Sequence, residues 1–260
     1  MGHIYSKAKK EQQIELANEI LDYLNQVKDS DNWKALLLDK IHAMEVELDE
    51  SPKKVYEKQA WDFSQEKAAY VFASDGDLTI RPLQERDKSF YYAVRQQWDS
   101  ALPESMFDQE NGLLWKPTQE ESSFFCVVEQ QSHPVGYVAI HDTRVSPWEL
   151  AVEFDKAFCN KGLGPRTIKL FLSKIEEITL ISLFRARVEV DNIACQKCMT
   201  KIGADLVGLG QGVLKTEEEM RKFEEENIGL IDEHMISLAE KLNVDPRKLL
   251  SHVLEYEIQM

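Results

Sequence analysis

The sequence predicts an α/β core held between two helical ends. Three observations lead there. From residue 78 to residue 214, short β-like runs alternate with amphipathic helical ones. Before and after that stretch, apolar residues recur at the three-and-four spacing of a buried helix face. A glycine-rich turn, Phe158-Cys159-Asn160-Lys161-Gly162-Leu163-Gly164-Pro165, joins a strand-like run over 148–154 to a helix-like run over 167–178.

Taken in order, Ile14, Ala17, Ile20/Leu21, Leu24 and Val27 mark one helix, and Trp33, Leu37, Ile41, Met44 and Leu48 a second after Asp31 as N-cap. Ser51-Pro52 opens a third, with proline at the first helical position. Residues 68–72 read as helix or strand. Ser74-Asp75-Gly76-Asp77 is a turn and the candidate domain boundary. Leu78 to Leu83 alternates as a strand closed by Pro82. Residues 85–98 read as a helix, and 99–121 as a polar loop. Strands follow over 124–129 and 135–140, joined by a turn at 130–133. After the glycine turn and its helix come a strand over 184–190, a helix over 194–202 and a strand over 206–214 bent at its glycines. In the tail, Thr216 and Glu219 make a capping box. A helix spans 230–242, and another opens at Asp245-Pro246 with Leu249, Leu250, Val253 and Leu254.

The chain has 260 residues and a formal net charge of −15. Residues 1–77 carry 10 basic and 16 acidic side chains, and residues 216–260 carry 5 and 12, so the middle is near neutral between acidic ends. That balance argues against nucleic acid as a partner, because such binding needs a basic footprint. No apolar run reaches the ~20 residues that span a bilayer, and the N-terminus lacks the apolar core of a signal peptide. The four cysteines have no framework spacing, which suggests a reducing compartment and a cytoplasmic location. Cys195 and Cys198 are spaced like half a metal site without a second half, and small core residues explain them better.

The glycine turn carries the chemistry. Glycine lets the main chain approach an anion closely, and the following helix adds the positive end of its dipole. The segment therefore reads as a pyrophosphate cradle. Three stretches together resemble the GNAT superfamily of CoA-dependent N-acyltransferases. Residues 78–83 look like its opening strand. Residues 149–164 look like its fourth strand and pyrophosphate loop, of pattern Arg/Gln-x-x-Gly-x-Gly/Ala. Val190-Asp191-Asn192 through Lys201-Ile202-Gly203-Ala204 looks like its later motif. The resemblance covers about residues 78–214 and implies a mixed, twisted sheet flanked by helices; with the helical patterns at the two ends, the expected order is 1–77 helical extension, 78–214 acyltransferase domain, 215–260 helical extension. It implies acetyl-CoA as co-substrate, no metal, and an amine-bearing small molecule or peptide as acceptor, which attacks the thioester directly. The helical ends pack on the core, on each other or on a second subunit, which makes a homodimer one expectation.

The same resemblance assigns roles. Backbone groups near Val152 and Phe154 meet the pantetheine arm. Asn160, Lys161, Gly162, Leu163 and Gly164 hold the pyrophosphate, and Asn192 bonds the pantetheine or a strand end. Glu149 stands where many members carry a catalytic glutamate, and Glu153 shares its face four residues on. Glu149 as an exposed strand-end carboxylate and Lys161 as a solvated lysine remain equally open readings. His141 is a third candidate base by its intrinsic pKa. The chain also departs from the pattern. Cys159 replaces the usual Arg or Gln, and Pro165 lacks an N–H donor. Met199 stands where many members place a tyrosine that protonates the leaving thiolate, which methionine cannot do. These departures leave open an inactive CoA-binding or protein-interaction module.

Overall fold

The computed structural model describes residues 61–98, 107, 114–212, 214 and 216–260, with the isolated positions 22, 23, 26 and 36. Apart from those isolated positions, the first two expected helices, all but the end of the third, and most of the polar segment 99–121 lie outside the described residues. The chain divides into two compact units.

The larger unit is built on one eight-stranded sheet. Its strands are β1 (Ala73–Asp75), β2 (Leu78–Pro82), β3 (Phe124–Gln130), β4 (His133–Ile140), β5 (Trp148–Phe154), β6 (Leu183–Val188), β7 (Asp205–Gln211) and β8 (His252–Gln259), in the order β1-β2-β3-β4-β5-β6-β8-β7. Pairing is antiparallel from β1 to β5, parallel between β5 and β6, and antiparallel between β6 and β8, so the sheet is mixed. A short helix α1 (Ser64–Lys67) precedes the sheet. Helices α2 (Lys88–Trp98), α3 (Leu163–Thr179) and α4 (Ile193–Ile202) join its strands.

Side-chain alternation decides which helix covers which face. On one face α3 buries Ile168, Phe171, Leu172 and Ile175. Phe171 meets Phe124, which stacks on Phe63 with ring centroids 4.4 Å apart. On the other face α2 buries Tyr91, Tyr92 and Val94. Tyr91 meets Tyr137 edge-on at 5.0 Å. Burying several aromatic side chains per face is a large hydrophobic gain. The β3–β4 turn places Gln131 and Ser132 at φ 51° and 64°, the paired left-handed residues of a tight hairpin.

Apart from the isolated positions 22, 23, 26 and 36, the described part of the second unit belongs to the segment Gln211–His252. It contains α5 (Glu217–Asn227), α6 (Glu233–Leu242) and α7 (Lys248–Ser251). The expected capping box is formed: Glu219 N donates to Thr216 Oγ1 at 3.1 Å, and Thr216 N donates to the Glu219 carboxylate at 2.9 Å. Helix α5 packs against α7, where the Ser251 hydroxyl donates to Glu224.

Two elements differ from expectation. The turn at 74–77 closes the β1–β2 hairpin, so the sheet begins at Ala73, ahead of the expected boundary. The last expected helix stops at Ser251, and residues 252–259 form β8 instead. The reason is period two: Leu254, Tyr256 and Ile258 are buried while the glutamates between them point the other way.

Candidate functional site

Strands β5 and β6 pair only at Trp148↔Phe184 and Glu149↔Arg185 and then part. The consequence for β5 follows from its register. Glu149 O accepts from His141 N, and Asp155 N donates to Val135 O, so the odd-numbered residues turn their backbone groups toward β4. Leu150, Val152 and Phe154 therefore turn theirs into the gap left by β6. The Phe154 carbonyl accepts from Trp98 Nε1 at 2.8 Å. Trp98, at the end of α2, is a residue that sequence reasoning did not single out.

The gap leads into the glycine turn. After a short turn over Lys156–Phe158, Asn160 and Gly162 take left-handed φ of 60° and 78°. Gly162 is the N-cap of α3, and nothing lies within 4 Å of the place its Cβ would occupy. The backbone thus turns open amide groups outward at a helix N-terminus. Pro165 sits at the third helical position, where its missing N–H costs the helix nothing. A Cβ on Gly164 would stand 3.0 Å from Cys198 Sγ, so the loop and α4 are in close contact.

Helix α4 forms the opposite wall. The Asn192 side chain caps it, accepting from Cys195 N at 3.0 Å. Val152, Glu153, Phe154, Asn160, Gly162, Leu163, Gly164 and Asn192 all line one cleft of about 270 Å³. Trp98, Lys197 and Lys201 line it too. The two lysines were missed because a lysine at helical spacing reads as solvated surface until its neighbours are known. Lys161 itself does not line the cleft; its ammonium lies 4.8 Å from the centre of the ring of Phe158, which does. Cys159 is half-buried, its Sγ 3.7 Å from the Asp155 carbonyl, so the position offers no cation.

Burial pushes the Cys195 thiol up to about 12 and the Cys198 thiol up to about 11, so both stay protonated at neutral pH. Among the described residues no group of three or more His, Cys, Asp or Glu is arranged to hold a metal ion. Met199 is 1% exposed and belongs to the core.

On the α2 face of the sheet stand the carboxylates. Glu149 is bracketed by Arg187, 2.9 Å away, and Arg185, 3.4 Å away. Glu153 pairs with Arg95 at 2.5 Å, beside the Tyr137 hydroxyl. His141 lies across the β4–β5 ladder from Glu149. Its edge reaches solvent, yet the surrounding protein crowds the ring. That desolvation holds its pKa below the ordinary histidine range, although Glu149 pulls it upward.

Known proteins bear on this arrangement. Residues 77–205 match a family model described as an acetyltransferase (GNAT) domain. RimL, a ribosomal-protein alpha-N-acetyltransferase solved with coenzyme A, shares 13% identity over 73% of this chain and 98% of its own, with a TM-score of 0.50. A spermidine N-acetyltransferase SpeG chimera from Vibrio cholerae shares 17% identity over 71% and 96%, with a TM-score of 0.49. A microcin self-immunity acetyltransferase, MccE, solved with acetyl-CoA and AMP, shares 10% over 72% and 94%, with a TM-score of 0.48. No curated protein sequence matches the chain.

Proposed function

Residues 77–205 are a GNAT acetyltransferase domain, and we propose that this protein uses it to move an acetyl group from acetyl-CoA to an amine acceptor by direct attack. The observation that carries the reading is the parting of β5 from β6 beside an open helix N-terminus. Backbone groups of Val152 and the amide of Phe154 would meet the pantetheine arm. The amides of Gly162, Leu163 and Gly164 would hold the pyrophosphate, with Asn160 and Asn192 at the rim. When bound, acetyl-CoA supplies the activated acyl carbon.

The chain's own residues handle the proton. A neutral His141, next to Glu149, is the group we assign to take it from the attacking ammonium. Arg185 and Arg187 hold Glu149 in place, so Glu149 acts on the histidine or through water. Glu153, tied to Arg95, forms the polar wall between cleft and α2 face. The acceptor class is an amine-bearing small molecule or peptide. The reading carries with it a cytoplasmic location and a homodimer built through the helical ends. Among the described residues no helix is long and apolar enough to cross a membrane.

Calorimetry with acetyl-CoA, followed by turnover with an amine panel, tests this. Micromolar binding, about −8 kcal/mol, and turnover that falls about 100-fold in Glu149→Gln are expected. A second reading, an inactive CoA-binding module, is favoured by Met199, an apolar core residue where the leaving-group acid would stand. Binding without turnover on any amine would select it.

A further inference from the structure

We infer that Lys197 and Lys201 of α4, and not the glycine loop, supply the positive charge that holds a phosphate-bearing nucleotide in the cleft. The inference rests on the reading of the cleft as a CoA site and goes on to say which residues neutralise that ligand.

The cations around the loop each meet a neighbour other than the cleft's interior. Arg166, in the first turn of α3, reaches Asp77 at 2.9 Å and the Asp75 carbonyl at 3.1 Å. Lys161 covers Phe158, and Lys156 covers Trp98 with its ammonium 5.0 Å from the ring centre, so both sit on rings that border the cleft without lining it themselves. None of these three lines the cleft, and Cys159 brings no charge. Amide dipoles alone would then face a polyanion, which is a weak arrangement in exposed surroundings.

Lys197 and Lys201 do line the cleft, and both are exposed. Among the described residues neither forms an ion pair or hydrogen bond. They stand at i and i+4, so they rise side by side on one face of α4. Like charges at that spacing repel and weaken a helix, and a bound phosphate between or beside them offsets the repulsion. Cys198, between them in sequence, touches the place a Cβ would take on Gly164. The lysine pair therefore borders the loop whose amides face the same anion. Glu153, the carboxylate lining this cleft, is already paired with Arg95. An ammonium on a flexible stem suits this role, because it follows a phosphate as a point charge without demanding a fixed fork geometry.

The test is calorimetry of CoA and 3′-dephospho-CoA binding to the full chain at low and high salt. Compared are the wild type, the Lys197→Gln/Lys201→Gln double variant and the Lys197→Arg/Lys201→Arg double variant. The glutamine pair should weaken CoA binding about tenfold or more at low salt, and the arginine pair should keep it. The gap should narrow at high salt as screening grows. If the lysines meet the 3′-phosphate, dephospho-CoA will bind wild type and glutamine variant alike. If they meet the pyrophosphate, both ligands will lose affinity in parallel. Glutamine-variant binding within about twofold of wild type at low salt, with thermal unfolding unchanged, would overturn the inference alone. Absence of CoA binding to the wild type would overturn the reading of the cleft and the inference with it.

Discussion

Arg81 is a charged residue in what reads as a plain opening strand. The fold holds it 8% exposed, with two hydrogen bonds to Asp87 at 2.7 and 2.8 Å and one to Glu129 at 2.7 Å. Removing one partner leaves the others buried and uncompensated, so Arg81→Ala should cost about 3–5 kcal/mol, read from urea unfolding. Burial alone would raise the Asp87 carboxyl. Hydrogen bonds from Arg81 and the Gln84 amide, with the charge of Arg81, outweigh it and leave the pKa lowered. The sign follows: this stabilisation is complete above the unfolded-state pKa and is lost as pH falls through the lower folded value. Acid unfolding of Asp87→Asn should therefore show a shallower pH dependence than the wild type. At the proposed site, His141 must be neutral to take a proton. Activity should fall as pH drops through a pKa below the usual ~6.5, and His141→Gln should abolish that limb of the kcat/KM profile. The glycines, Asn192 and the carboxylates were legible as residue types. That Glu149 is pinned by two arginines was not, because Arg185 and Arg187 lie more than thirty residues away and meet it only across a strand pair.

Among the elements, β5 and the loop after it hold the site, and their backbone geometry makes separate demands on two glycines. A Cβ on Gly136 would lie 2.4 Å from the Glu153 carbonyl, against the backbone of the neighbouring strand. Gly136→Ala must push β4 from β5 and should lower stability by about 1–3 kcal/mol. Gly162 differs, since space is open around it and the left-handed φ is the constraint. Gly162→Ala should cost only about 1–2 kcal/mol, while the shifted amides reduce acetyl-CoA affinity, which calorimetry would separate from the unfolding result. Strands β3, β4 and β5 were readable from their apolar runs. Helix α3 was readable from periodicity, although it starts four residues earlier than its pattern, because Gly162 caps it and Gly164 already lies in its first turn. Strand β8 was masked by Leu249, Leu250, Val253 and Leu254, whose spacing fits a helix as well as it fits a short helix followed by a strand.

For the whole molecule, the decisive feature is where the chain's end returns. Strand β8 lies between β6 and β7, although the segment holding α5 to α7 separates it from β7 in sequence. A chain ended at residue 214 would keep the match to the family model yet lose an interior strand and the burial of Leu254, Tyr256 and Ile258. We expect such a truncation to lose cooperative unfolding in urea, whereas the full chain keeps it. The acidic tail is thus partly a component of the sheet.

The sequence by itself determined the element types, their order from 78 to 211, and the glycine turn with its helix. These rest on local physics: side-chain periodicity, turn residues and caps act within a few positions of one another. Only the tertiary structure decided that β8 completes the sheet, that Glu149 and Glu153 are ion-paired, that Arg166 pairs with Asp77, and that Lys197 and Lys201 line the cleft. Each depends on groups far apart in the chain meeting across strand pairs or between helices. No window of sequence records which distant charge, ring or backbone edge a residue will find.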